Sequence, residues 1–238
     1  MTEREDFDGL ALAARPVVLF DFDGTIADTA KAILRVAREA LERCGYDVDA
    51  LPDLNMLIGP PLYDGFMELC GVPLEEAVRL TEAYRDVFYH TVTPEDYPAL
   101  PGVRPLLSAL AARGTRCAVA TSRLEDTAQK MVAALDLPPF EAVVGRLEPG
   151  RDTKADCIRE ALRQLGVRPE DAVMVGDRRH DTEGAHENGI PCIGVYTGTA
   201  QPGEHERAGA DVICHGIYEV AAVLGVTLDG SDEDDVSV

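Results

Sequence analysis

Short apolar, β-branched runs recur along this chain, each followed by a stretch with helical spacing, and that alternation leaves few folds open. The runs cover 17–20, 116–120, 142–145, 172–175, 192–195 and 211–214. Between them, apolar residues recur at helical intervals over 106–112, 127–135 and 155–165. Apolar runs of this kind suit strands buried on both faces, and the helices between them supply the crossovers that parallel pairing needs. The pattern predicts an α/β fold: a Rossmann-like three-layer core with a mostly parallel sheet. Gly114 and Gly166 agree, each ending a helix just before a strand.

One interval breaks the rhythm. Roughly eighty residues separate the first run from the second, far beyond an ordinary crossover of about a dozen or more. The interval has helical spacing. Asp28 and Thr29 are placed to cap a helix whose apolar positions Ile33, Val36, Ala40, Leu41 and Cys44 share a face, ending at Gly45. A second helix follows Pro60-Pro61 and stops at Gly71, and a third covers about 74–90. The expected organisation is a discontinuous core, 16–29 with 99–226, interrupted by a helical module at 30–98. Residues 1–15 and 227–238 are expected to be tails. The second is crowded with Asp229, Asp232, Glu233, Asp234 and Asp235 and is expected to be disordered.

Charge narrows the partners. A formal net charge of −21 repels nucleic acid and anionic membrane, so neither is expected to bind. It also repels an anionic substrate at long range, so a phosphate site here needs a metal ion or a placed Lys or Arg. No apolar run is long enough to span a membrane, and the first residues lack the basic-then-apolar pattern of a signal peptide. The six cysteines are scattered with no C-x-x-C pair, as expected of small buried hydrophobes in a reducing compartment. The expected location is cytoplasmic, and the expected state is a monomer or homodimer.

Open α/β sheets carry their sites at the carboxyl ends of strands. The first run ends in Asp21-Phe22-Asp23-Gly24-Thr25, where two carboxylates two residues apart share one face. The second is followed by Thr121, Ser122 and Arg123. Lys154 opens the helix after the third. Gly176, Asp177 and Asp181 follow the fourth. A nucleophilic carboxylate, hydroxyls, an ammonium group and further carboxylates thus fall along one edge. These groups suit phosphoryl transfer: hydroxyls bind phosphate oxygens, lysine offsets charge, and carboxylates hold a divalent metal.

Each signal has a plainer alternative. Asp21 and Asp23 could form a strand-end turn, Thr121 and Ser122 could cap a helix near Asp126, and Lys154 could be solvated. The order of the set argues against coincidence. So does a lysine at that place, in a chain with three lysines against nineteen arginines. Arg123 either touches a substrate anion or caps a turn. His180 is expected to be an exposed loop histidine. Arg178 and Arg179 are expected to balance surface charge.

The set, in this order, resembles the haloacid dehalogenase superfamily, whose motifs run D-x-D, Ser/Thr, Lys, G-D-x-x-x-D. The resemblance covers about 16–225. Ile58-Gly59-Pro60-Pro61-Leu62 and the stretch from Gly176 to Ile190 are similar to its phosphoglycolate-phosphatase-like branch. Two departures are visible. Ala155 follows Lys154 where that branch often has proline, and Tyr196-Thr197-Gly198-Thr199 differs from the aromatic, glycine-rich loop common after that strand.

The resemblance implies a phosphoric monoester hydrolase with an inserted α-helical cap. It implies that Asp21 is the nucleophile, forming an aspartyl-phosphate, and that Asp23 is the general acid and then base. Asp21, Asp23 through its carbonyl, and Asp177 would hold Mg²⁺, with Asp181 close by. Thr121 and Ser122 would bind phosphoryl oxygens, Lys154 would orient Asp21, and Thr25 would position Asp23.

A small phosphorylated metabolite is the implied substrate, with phosphoglycolate the first candidate. Nucleoside monophosphates and sugar phosphates are alternatives, as is a phosphomutase. A phospho-acceptor signalling module would group similar residues, but Asp23 and the insertion argue against it. A binding protein without catalysis is not supported, because every expected catalytic residue type is present.

Overall fold

The computed structural model describes residues 12–228, so the acidic run at 229–238, expected to be disordered, lies outside the described residues. The chain divides into two compact units. One holds the chain up to Ile26 and from Ala99 onward, and the other is Ala27–Pro98.

The first unit is built on β1 (Val17–Phe20), β2 (Arg116–Leu124), β3 (Ala142–Arg146), β4 (Ala172–Gly176), β5 (Cys192–Val195) and β6 (Val212–Cys214). They form one sheet in the order β3-β2-β1-β4-β5-β6, and every pairing is parallel. β1 is central and buried along its whole length, as its uninterrupted apolar run requires. The chain steps one way from β1 to β3 and the other way from β4 to β6. The order therefore reverses between β1 and β4, and the crevice at their carboxyl ends is where sheets of this order take ligands.

The second unit holds α1 (Ala30–Arg43), α2 (Leu62–Cys70) and α3 (Leu74–Thr91). Ile33, Val36, Ala37, Ala40 and Leu41 of α1 share a core with Phe66, Leu69, Leu80, Tyr84 and Val87. That is the helical stripe the sequence shows, closed by a second and a third stripe. Thr29 occupies the N-cap position of α1, but its hydroxyl caps nothing and is buried without a hydrogen-bond partner. The reason is its backbone: at φ −99° and ψ −9° it is already helical, whereas a capping residue needs an extended conformation.

In the first unit, α4 (Val103–Arg113), α5 (Glu125–Ala134), α6 (Lys154–Leu165), α7 (Arg179–Glu187), α8 (Glu204–Ala208) and α9 (Ile217–Val223) accompany the sheet. Cys157, Ile158, Ala161, Leu162 and Leu165 of α6 and Ala185 of α7 pack on Val17, Leu19, Ala118, Ala120 and Met174. α4 packs on β2 and on α9, and no residue of these two helices belongs to that cluster. All six cysteines are free. Among the described residues no helix is long and apolar enough to cross a membrane.

β2 is longer than its apolar run. It continues through Thr121, Ser122 and Arg123 to Leu124, which pairs with Arg146 of β3 after a register shift. The ladder with β3 lapses between Ala120 and Leu124, so these polar residues form an irregular stretch within the strand.

Candidate active site

Asp21 is the first residue past β1, and its amide donates to the carbonyl of Val175 in β4 at 2.9 Å. Asp177 is the first residue past β4. The two carboxylates therefore flank the reversal point of the sheet because their strands are neighbours there. Asp181 lies one turn into α7, and its Oδ2 accepts from the amide of Arg178 at 3.0 Å, closing a capping box at that helix end. One carboxylate oxygen from each of Asp21, Asp177 and Asp181 lies within 4.8 Å of the others, and all three residues are buried.

Lys154 reaches this cluster from the first turn of α6. That turn is set by Thr153 and Asp156, which cap each other's backbone amides. The buried Lys154 ammonium donates to Asp21 Oδ1 at 2.6 Å and to the carbonyl of Ala120 at 2.9 Å. It also pairs with Asp181 Oδ1 at 2.7 Å. Ala120 immediately precedes Thr121, so one lysine ties the end of β1, the middle of β2 and the first turn of α7 together. Thr121 is buried and Ser122 is half-buried at the same strand end.

Three buried carboxylates cluster together and one ammonium pairs with two of them, and the titration follows. Burial raises the Asp21 carboxyl from its ordinary 3.8 to about 7. Lys154 opposes the shift, while Asp181 and Asp23 add to it. Burial, then Asp21 and Asp181, push Asp177 well above the carboxylate range. For Lys154, burial works against the charge, but the Asp181 and Asp21 carboxylates outweigh it and raise its pKa. The site is short of positive charge. Asp177 Oδ1 is moreover buried with no hydrogen-bond partner. An all-oxygen donor set with an orphaned carboxylate oxygen fits a hard divalent cation.

The segment that departs from the family pattern serves this cluster. The amide of Thr199 donates to Asp177 Oδ2 at 3.2 Å, and the Thr197 hydroxyl donates to the carbonyl of Gly24 at 2.7 Å. A side chain at Gly198 would overlap the Asp177 carboxylate. Sequence reasoning missed these contacts. The only signal was a glycine between two threonines after β5. Gly198→Ala is therefore expected to weaken divalent-cation binding by about ten- to a hundredfold, as loss of a ligand's support does. Calorimetric titration would read it, and unchanged affinity would mean that this loop does not hold Asp177.

Three expectations about supporting residues are corrected. Thr25 is fully buried, and its hydroxyl has no hydrogen-bond partner, so it does not position Asp23. Arg123 holds Asp23, with Nε to Oδ2 at 3.1 Å and Nη2 to Oδ1 at 2.5 Å. Asp23 contributes no carboxylate oxygen to the triad, so only its backbone carbonyl is left for a metal. Arg178 is no free surface charge: its Nε donates to the buried Glu204 at 2.9 Å and its Nη1 to Thr199 at 3.3 Å. His180 is half-buried on α7, beside Glu183 at 3.5 Å, rather than exposed on a loop.

Residues 18–195 match the family model described as haloacid dehalogenase-like hydrolase. Among curated relatives, a tyrosine-protein kinase PtkA of Mycobacterium tuberculosis is 34% identical, covering 88% of this chain and 72% of its own. A 5'-nucleotidase of Pseudomonas aeruginosa is 38% identical, covering 77% and 83%. A phosphoglycolate phosphatase of Caulobacter vibrioides is 30% identical, covering 92% of each. With the D-x-D strand end, the lysine and the paired aspartates all on one sheet edge, the chain belongs to the haloacid dehalogenase-like hydrolases, in their phosphoglycolate-phosphatase-like branch.

Proposed function

We propose that this enzyme is a Mg²⁺-dependent phosphatase that hydrolyses a small phosphate monoester through an aspartyl-phosphate on Asp21. The observation that carries the reading is the buried cluster in which Lys154 bridges Asp21 and Asp181 beside the orphaned oxygen of Asp177. Such a cluster is costly for folding alone, since it buries more negative than positive charge. It suits a site that receives a cation and a phosphoryl group.

In the first step a carboxylate oxygen of Asp21 attacks phosphorus, and the bond to the leaving oxygen breaks. Asp23 gives that oxygen a proton. In the second step Asp23 takes a proton from water, which attacks phosphorus and frees Asp21. Lys154, fixed on Asp21 Oδ1, orients the nucleophile. Thr121 and Ser122 bind the phosphoryl oxygens at the end of β2. Mg²⁺, held by Asp21, Asp177 and the carbonyl of Asp23 with Asp181 nearby, supplies the positive charge that offsets the phosphate. We assign the choice of substrate to the helical unit Ala27–Pro98, as the cap of this enzyme.

Phosphoglycolate is the first substrate candidate and nucleoside monophosphates the second, in keeping with the names of the two phosphatase relatives. Phosphate release from a panel of both, with sugar phosphates added, is expected to require Mg²⁺ and to stop in EDTA. No release, together with a long-lived acid-labile phosphate on Asp21 after acetyl phosphate, would replace this reading with the signalling module.

A further inference from the structure

Arg123 stands near the end of β2, and its guanidinium takes Asp23 in a two-point grip. The pair is largely shielded, with side-chain exposures of 12% and 19%. A planar fork on a planar carboxylate fixes its orientation, which a single contact to a lysine or hydroxyl would not. The strand end is built to bring this arginine close. Its amide donates to Thr121 Oγ1 at 3.2 Å. A Cβ on Gly145 of β3 would sit 2.5 Å from the Arg123 carbonyl oxygen, so that approach needs glycine.

On the phosphatase reading above, we infer that Arg123 is a positioning residue that aims the Asp23 carboxyl group at the leaving oxygen. The grip favours the ionised carboxylate but leaves room on it for a proton. Each carboxyl oxygen has two lone-pair sites, and the fork uses one on each. As the bond from phosphorus to the leaving oxygen breaks, the electron pair stays on that oxygen and the proton of Asp23 moves to it. A leaving group that is stable as an anion gains little from this proton, and a basic one gains much.

The test compares phenyl phosphate with 4-nitrophenyl phosphate, similar in shape but different in leaving-group basicity, in wild type, R123Q and R123K with Mg²⁺. The parameter is kcat/KM, which ends at leaving-group departure and excludes the second step. R123Q is expected to lower it by about a hundredfold for phenyl phosphate and by less than about tenfold for 4-nitrophenyl phosphate. R123K, which keeps the charge but loses the fork, should fall between wild type and R123Q on phenyl phosphate. Retained nitrophenyl activity shows that the variants are folded.

Equal losses on both compounds, no loss on either, or a loss confined to phosphoglycolate, whose second anion a guanidinium could bind, would each overturn the assignment while leaving the phosphatase standing. A wild type inactive on all of these compounds and on the metabolite panel would remove the phosphatase reading and this inference with it.

Discussion

Asp21→Asn is expected to abolish Mg²⁺-dependent phosphate release, lowering kcat by on the order of a thousandfold or more, because an amide oxygen cannot form the covalent intermediate. The fold should survive. Asparagine keeps the shape of the side chain, and its carboxamide can still accept from Lys154. It also removes one of three buried carboxylates, whose charge burial disfavours strongly enough to lift the Asp21 carboxyl to about 7. In EDTA the variant should therefore melt no lower than wild type. Paired measurements of phosphate release and thermal unfolding check both halves. A variant that keeps a tenth or so of wild-type kcat would remove Asp21 as nucleophile. A large fall in melting temperature would show the lost activity to be a folding defect.

Lys154→Ala carries the largest expected cost in stability. It removes the ammonium that pairs with both Asp21 and Asp181, and breaking a buried pair this way costs about 3–5 kcal/mol. The sign of its pH dependence follows from Asp21. Its folded-state value, about 7, lies above the ordinary 3.8. A raised carboxyl contributes stability at low pH that is lost as pH climbs through the folded value. Lys154 lowers that value, so removing it raises Asp21 further and enlarges the loss at neutral pH. Urea unfolding in EDTA should show a deficit at about pH 7.5 that shrinks at about pH 5, where protons replace the missing charge. Saturating Mg²⁺ should recover part of the deficit at the higher pH by binding the folded state. A deficit equal at both pH values and indifferent to Mg²⁺ would mean that Lys154 matters through packing alone.

The sequence alone was enough for β1 and β5, whose apolar runs coincide with the strands, and for α6, whose apolar face and glycine stop are local features. It was also enough to bring Asp21, Lys154, Asp177 and Asp181 to one sheet edge, because strand ends and chain order follow from a parallel α/β pattern. Its failures share one cause. β2 rejoins β3 at Leu124, after an irregular stretch, because Arg146 lies beside it there. Asp23 finds its partner a hundred residues away in Arg123, not two residues away in Thr25. Asp177 leans on Thr199 and needs Gly198, which follow a different strand. Periodicity, glycine stops and motif order are written within a few residues of where they act. Hydrogen bonds and close approaches between distant segments depend on which strands become neighbours, and that neighbourhood exists only once the sheet has formed.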